Sequence, residues 1–254
     1  MSTQLQFTSD LHLEFPANKE FLMRNPIKPV GEVLLLAGDV VPFAEMHKHQ
    51  DFFSYVSDHF EKTYWVPGNH EYYRADINER SGVVHESIRE NVWLVNNTVV
   101  NHGPVRMVCS TLWSQISPAH QWEIERNMSD FRLIRNGAHR FTSDRYNELH
   151  AESLAFLKNA LAEPWQGHTV VCSHHCPTFM HYPEQYRGDV LNEAFATELF
   201  DLIEESGIHA WIYGHHHTNT PEFTIGSARM LTNQLGYVEY GEGVGYEQSK
   251  SIML

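Results

Sequence analysis

Val33-Leu34-Leu35-Leu36-Ala37-Gly38-Asp39 is a short apolar run closed by glycine and an acid, and it reads as a buried strand entering a loop. Four other stretches repeat this grammar. Asp10 and His12 follow Leu5-Gln6-Phe7, and Asn69 follows Tyr64-Trp65-Val66. His174 follows Thr169-Val170-Val171-Cys172, and His215 and His217 follow Ala210-Trp211-Ile212-Tyr213. In open α/β sheets, ligands bind beyond the carboxyl ends of strands. Five strands are therefore expected to deliver oxygen and nitrogen donors to one rim.

A chain of 254 residues is long enough to bury a sizeable core as one α/β domain, and no repeat, low-complexity tract or Pro/Ser-rich linker divides it. The expectation is a single domain over residues 1–254. Hydrophobic residues make up 42% and charged residues 20%, which excludes a disordered chain. The start has no basic segment followed by an apolar stretch, and no run approaches the roughly 18 apolar residues of a membrane span. A cytoplasmic location without membrane association is expected. Cys109, Cys172 and Cys176 form an odd, sparse set that does not suggest disulfides. Cys172 and Cys176 bracket His174 and His175 in zinc-like fashion, but Cys172 falls inside a strand run, where a buried thiol is commonplace.

The net charge of -14 argues against stable nucleic-acid binding and fits a small phosphorylated substrate better. Of 18 histidines, five receive roles below. Others, including His47, His49, His59 and His85, are expected on helices facing solvent.

Phe52, Phe53, Val56 and Phe60 form a helical stripe within 44–60, and Asp76 to Asn91 reads as a second helix with Ile77, Val84 and Ile88 inward. Val92–Val95, Thr98–Val100 and Val105–Cys109 read as hairpin-linked strands, separated by Asn96-Asn97 and His102-Gly103-Pro104. Ser143 to Ala162 is a helix with Leu149, Leu154, Leu157 and Leu161 on one side and Pro164 beyond its end. Phe195 to Ser206 is another. Glu222–Ile225 and Met230–Thr232 are paired runs around Gly226, ahead of a glycine-rich end. The total is ten to twelve strands and four or five helices. Residues 114–141 form a polar stretch longer than ordinary connections, either a lid over the rim or a surface excursion.

In Asp10-Leu11-His12 and His215-His216-His217 the outer residues are two apart, so in extended backbone both face the same side. Carboxylate, imidazole and amide oxygen suit Mn²⁺, Fe or Zn²⁺, and the absence of a thiolate argues against a structural zinc.

Asp10-Leu11-His12, Gly38-Asp39, Gly68-Asn69-His70-Glu71, Ser173-His174-His175 and Gly214-His215-His216-His217, in that order, resemble the five-block signature of the calcineurin-like metallophosphoesterases. The blocks span residues 10 to 217. The resemblance implies a four-layer αββα sandwich of two mixed β-sheets flanked by helices, with two divalent metal ions, manganese foremost, at the strand ends. By that likeness Asp39 bridges both ions, Asp10, His12 and His217 complete one site, and Asn69, His174 and His215 complete the other. His174 rather than His175 occupies the matching position. His70 would contact the substrate or assist the leaving group, and a hydroxide between the ions would attack phosphorus in line. A relative that keeps the fold as a metal-stabilised scaffold is the alternative.

Departures from family patterns narrow the substrate. Val40-Val41-Pro42 replaces the acidic and arginine-bearing run of protein serine/threonine phosphatases. His70 stands where lipid A pyrophosphatases usually carry arginine. The chain is short and acidic for a repair nuclease. A small phosphodiester or phosphomonoester remains, with the oligomeric state open.

Overall fold

The structure is a computed structural model describing residues 2–254. In chain order its strands are β1 (Gln4–Thr8), β2 (Val33–Ala37), β3 (Lys62–Val66), β4 (Val84–Arg89), β5 (Val92–Asn96), β6 (Thr98–His102) and β7 (Val105–Ser110). There follow the short strands β8 (Arg135–Asn136) and β9 (His139–Arg140), then β10 (His168–Ser173), β11 (Ala210–Ile212), β12 (Phe223–Ile225), β13 (Ala228–Leu231) and β14 (Ser251–Met253). The helices are α1 (Pro16–Arg24), α2 (Gln50–His59), α3 (Ile77–Arg80), α4 (Gln121–Asn127), α5 (Asp130–Leu133), α6 (Ser143–Ala162) and α7 (Phe200–Glu205).

Twelve strands form two six-stranded mixed sheets, ordered β14-β1-β2-β3-β5-β4 and β12-β13-β11-β10-β7-β6. In each sheet the four inner strands are parallel and both edges antiparallel. Parallel strands need cover on both faces, and side chains alternate between those faces. Val33, Leu35 and Ala37 of β2 join Met107, Cys109, Val170, Cys172 and Ile212 in the core between the sheets. Leu34 and Leu36 face the other way, onto Leu22 of α1 and Phe53 and Val56 of α2. Across the second sheet, Val108, Val171 and Trp211 pack on Leu157 of α6 and Ile203 of α7. The result is four layers: helices, sheet, sheet, helices. No helix among the described residues is long and apolar enough to cross a membrane.

Helix α6 runs over the expected residues, and its N-terminus is capped by the Thr142 side chain accepting from the Arg145 N–H. Other expectations need correction. The helix expected over 76–91 is only α3; Gly82, at φ 71°, ends that path, and Val84–Arg89 becomes an edge strand paired with β5. The apolar spacing of Ile77, Val84 and Ile88 suits a helix, but β5 offers that segment a ladder. Strands β6 and β7 form the expected hairpin, whereas β5 and β6 belong to different sheets. Asn97, at φ 44°, turns the chain from one sheet to the other. The helix expected from Phe195 begins at Phe200. The described residues hold fourteen strands and seven α-helices, more than expected; α1, β14 and the two-residue ribbon strands were not anticipated. His49 is buried, so the solvated reading fails for it; His85 is exposed as expected but lies on β4, stacked on Trp93, so the helical reading fails for it.

Residues 114–141 carry α4, α5 and the β8–β9 ribbon. They bury Ile116, Ile124, Phe131, Ile134 and Phe141 in the core outside the first sheet.

Candidate metal centre

The parallel strands β1, β2, β3, β10 and β11 end on the same rim, and the loops that follow interlock through backbone hydrogen bonds. Asp10 N–H donates to Gly38 O and His12 N–H to Asp39 O, both at 2.9 Å. Gly214 N–H donates to His174 O at 3.0 Å, tying the second sheet's two loops together. Asp10, His12, Asp39, His215 and His217 all have positive φ, between 47° and 83°. Extended backbone, the basis of the two-residue spacing argument, is therefore not what aligns these side chains. Left-handed residues alternate with their neighbours and bring both outer side chains of each triplet to the centre. Asp, Asn and His tolerate this region better than most residues, yet each such position costs roughly 1–3 kcal/mol. The interlocked loops hold the strain.

Glycines in the blocks have a steric reason. A Cβ on Gly68 would stand 2.2 Å from Asp39 Oδ1, and one on Gly38 2.2 Å from His174 Nδ1. Any side chain at either place would displace a donor.

All seven donor residues expected from the sequence converge. Asp39 Oδ2 lies 3.7 Å from His12 Nε2 and 3.4 Å from His174 Nε2. Around the first contact, His12 Nε2 is 3.0 Å from His217 Nε2, which is 3.4 Å from Asp10 Oδ1. Around the second, His174 Nε2 is 3.0 Å from His215 Nδ1 and 3.2 Å from Asn69 Oδ1. Asp10, His12, Asp39 and His174 are essentially inaccessible to solvent. His175 is also buried and brings a ring nitrogen within 4.8 Å of nitrogens of His174 and His215, but its two nitrogens meet Thr111 O and the Tyr146 hydroxyl.

The donor set fits cations. Each of the four imidazoles has one nitrogen set against an oxygen acceptor and the other directed inward. His174 Nδ1 meets Ala37 O at 3.0 Å, His215 Nε2 meets Ala194 O at 3.2 Å, His12 Nδ1 meets Glu14 Oε1 at 3.2 Å, and His217 Nδ1 meets Glu242 Oε2 at 2.6 Å. Such outer partners fix the tautomer and aim the remaining lone pair of a metal-binding histidine. Two inward lone pairs at 3.0 Å repel unless a proton or a cation lies between them.

Without cations, protons take that place. Burial works against charge on His217, but Asp10 and Glu242 overcome it and raise its pKa to about 10. Burial likewise opposes His174, which Asp39 and Asp10 raise to about 9. Burial and neighbouring histidines lower the partners, His12 and His215. One histidine of each close pair is thus the donor and the other the acceptor. Burial would raise the carboxyl of Asp39, yet His174, His70 and His12 hold it well below the usual range.

A proton-linkage prediction follows. Loading both sites at pH 7 is expected to release about two protons, one from each pair, because a metal ligand must be deprotonated. Affinity should rise by roughly tenfold per pH unit per site up to pH near 9. The sign for the metal-free fold is opposite: raised histidine pKa values add stability below about pH 6.5 that is lost as pH climbs through about 9 to 10. Titration calorimetry in buffers of different ionisation enthalpy counts the protons; zero release would contradict the shared-proton arrangement.

Several supporting residues escaped the sequence reading. Glu14 Oε1 faces both His12 Nδ1 and His70 Nδ1, at 3.2 and 3.1 Å. Burial opposes its charge, but these two histidines hold its pKa down to about 2. Glu14 follows His12 at the same spacing that separates His12 from Asp10, and that spacing was the available signal. Fully buried Glu71 accepts four hydrogen bonds, from the N–H groups of Asp39, Val40 and Gly68 and the Trp65 indole, at 2.7 to 2.9 Å. Burial and Asp39 push its pKa up to about 8. Buried Asp130, on α5, accepts from Asn69 Nδ2 at 3.0 Å and the Tyr73 hydroxyl at 2.7 Å, which turns the Asn69 carbonyl oxygen toward His174. Glu242 lies in the glycine-rich tail, where no sequence pattern marked it.

His70 sits at the edge of the cluster. Its N–H donates to Asp39 Oδ1 at 2.9 Å, its ring lies 4.1 Å from that of Tyr73, and its Nε2 is 3.4 Å from the Tyr237 hydroxyl. Burial opposes its charge, but Asp39 and Glu14 raise its pKa above the ordinary value. A cavity of about 650 Å³ opens here, lined by Asp39, Asn69, His70, His215 and His217 and by side chains from 127–133 and 186–195.

This fold with this donor set defines a metallophosphoesterase. The family model for calcineurin-like phosphoesterases matches residues 5–219, and the chain belongs to that family. Uncharacterized protein L509 of Acanthamoeba polyphaga mimivirus is 29% identical over 259 residues, covering 92% of this chain and 91% of the viral protein. Among solved structures, the phosphopantetheinyl hydrolase (PptH) from Mycobacterium tuberculosis superposes with a TM-score of 0.71 at 20% identity, covering 98% of this chain and 95% of that one.

Proposed function

We propose that the chain, acting as one domain, hydrolyses a small phosphodiester or phosphomonoester at a dinuclear centre. Asp10, His12, Asp39 and His217 would hold one divalent ion; Asp39, Asn69, His174 and His215 would hold the other, with manganese the favoured metal. The observation that carries this reading is the single Asp39 carboxylate placed between two separate imidazole clusters.

Two ions so held would neutralise charge on the phosphoryl oxygens and lower the pKa of water. The chain's own groups do the rest. His70, whose pKa Asp39 and Glu14 raise against burial and whose ring lies tilted 4.1 Å from that of Tyr73, stands at the cavity wall, where its protonated form can stabilise charge on the transferring group or give its Nε2 proton to the departing oxygen. Glu14 fixes the His70 ring by taking its Nδ1 hydrogen. Burial of the donors excludes bulk water from all but the cavity side. A protein of the same fold, from M. tuberculosis, is named a phosphopantetheinyl hydrolase, which supports the reading.

Para-nitrophenyl phosphate and bis(para-nitrophenyl) phosphate, assayed with Mn²⁺, test the reading. Metal-dependent release of nitrophenolate from at least one ester is expected, with loss on chelation. Silence toward both esters and a nucleotide panel, with two metals demonstrably bound, would favour a scaffold instead.

A further inference from the structure

We infer that the substrate carries one phosphoryl group on an uncharged organic limb, and that the cavity discriminates against a second phosphate. This rests on the phosphoesterase reading above and deepens it. At about 650 Å³ the cavity is much larger than a phosphoryl group, so most of it is available to the rest of the ester.

Charge within that space decides what the rest can be. Arg74 is the only lysine or arginine among the described residues lining it, and its guanidinium is already 3.3 Å from Glu45. The other lining carboxylates outside the donor set are Glu14, Glu242 and Asp189. Glu14 and Glu242 are engaged with the histidines of the centre. Asp189 accepts from Leu191 N–H at 2.9 Å and has no cationic partner. A second phosphate would therefore meet the Asp189 carboxylate and, as cation, only the Arg74 guanidinium already shared with Glu45, and like charges brought together at a binding surface carry a penalty.

The neutral polar groups point the same way. Asn192 donates from Nδ2 to Tyr186 O at 2.6 Å, and Asn127 from Nδ2 to Glu123 O at 2.9 Å. Each amide spends one of its two N–H donors in this way, leaving the other N–H and the carbonyl oxygen for a ligand. Neutral donors and acceptors of this kind suit the O–H, N–H and C=O groups of an uncharged limb. Phe195 and Tyr237 supply apolar surface beside them.

A matched pair of diesters tests this: thymidine 5'-(para-nitrophenyl phosphate) and the same compound phosphorylated at its 3' oxygen. In both, water adds to the 5' phosphorus, the bond to the nitrophenyl oxygen breaks, and nitrophenolate leaves with that electron pair. With the manganese-loaded protein, kcat/KM is expected to fall about tenfold or more on adding the 3' phosphate, mainly through KM. Inhibition constants of thymidine 5'-phosphate and thymidine 3',5'-bisphosphate should differ in the same direction. Asp189→Lys, which supplies the missing cation, should shrink the gap. Equal or faster hydrolysis of the 3'-phosphorylated ester would overturn the inference while leaving the phosphoesterase reading intact. Hydrolysis of neither diester nor of para-nitrophenyl phosphate, with both metals bound, would overturn the reading beneath it.

Discussion

Asp39→Asn is expected to abolish metal loading and lower activity by roughly 10³-fold or more, since charge stabilisation by such ions supplies several kcal/mol and each 1.4 kcal/mol is a factor of ten. The reason is geometric. One carboxylate oxygen of Asp39 stands within 3.7 Å of His12 Nε2 and 3.4 Å of His174 Nε2, and the other accepts the His70 N–H. An amide at this place removes a negative charge from a nearly inaccessible site and can set an NH₂ group against imidazole lone pairs. Both sites should weaken together because both share the residue. Metal content by mass spectrometry and activity on the bis ester measure the two effects. A variant retaining two ions with full turnover would refute the shared carboxylate.

His70→Ala is expected to separate chemistry from metal binding. Turnover should fall by about 10²- to 10⁴-fold, the usual worth of a positioned proton donor, while both ions stay. The substitution keeps the backbone N–H that supports Asp39, and Glu14 keeps His12 as a partner. The pH dependence gives a second signature. Because the pKa of His70 is raised, its proton is available below that value and lost as pH rises through it. The alkaline fall in kcat attributable to His70 should vanish in the variant. Loss of both ions from His70→Ala would instead move His70 into the ligand set.

Much of this was legible because the centre is built from strand ends. An apolar run such as Val33–Leu36 announces a buried strand, and Gly38-Asp39 after it announces a donor where the strand stops. The long helix over Ser143–Ala162 was legible for the same reason, its period being unbroken by glycine or proline. Illegible parts depend on long-range pairing or on conformation. Val84 and Ile88 satisfy a helical spacing and become strand residues because β5 lies beside them. The left-handed backbone at Asp10, His12 and Asp39 leaves no imprint on spacing alone. Asp130 reaches Asn69 across 61 positions of sequence from a polar stretch with no motif of its own. Glu242 meets His217 from a glycine-rich tail in which any acid looks solvated.

The central claim is that Asp39 sits between two cations. Anomalous scattering from crystals grown with Mn²⁺ tests it most directly. The account predicts two peaks roughly 3.5–4 Å apart, one between His12 and His217 and one between His174 and His215, with the Asp39 carboxylate touching both. A single peak, or two peaks that do not share Asp39, would contradict it.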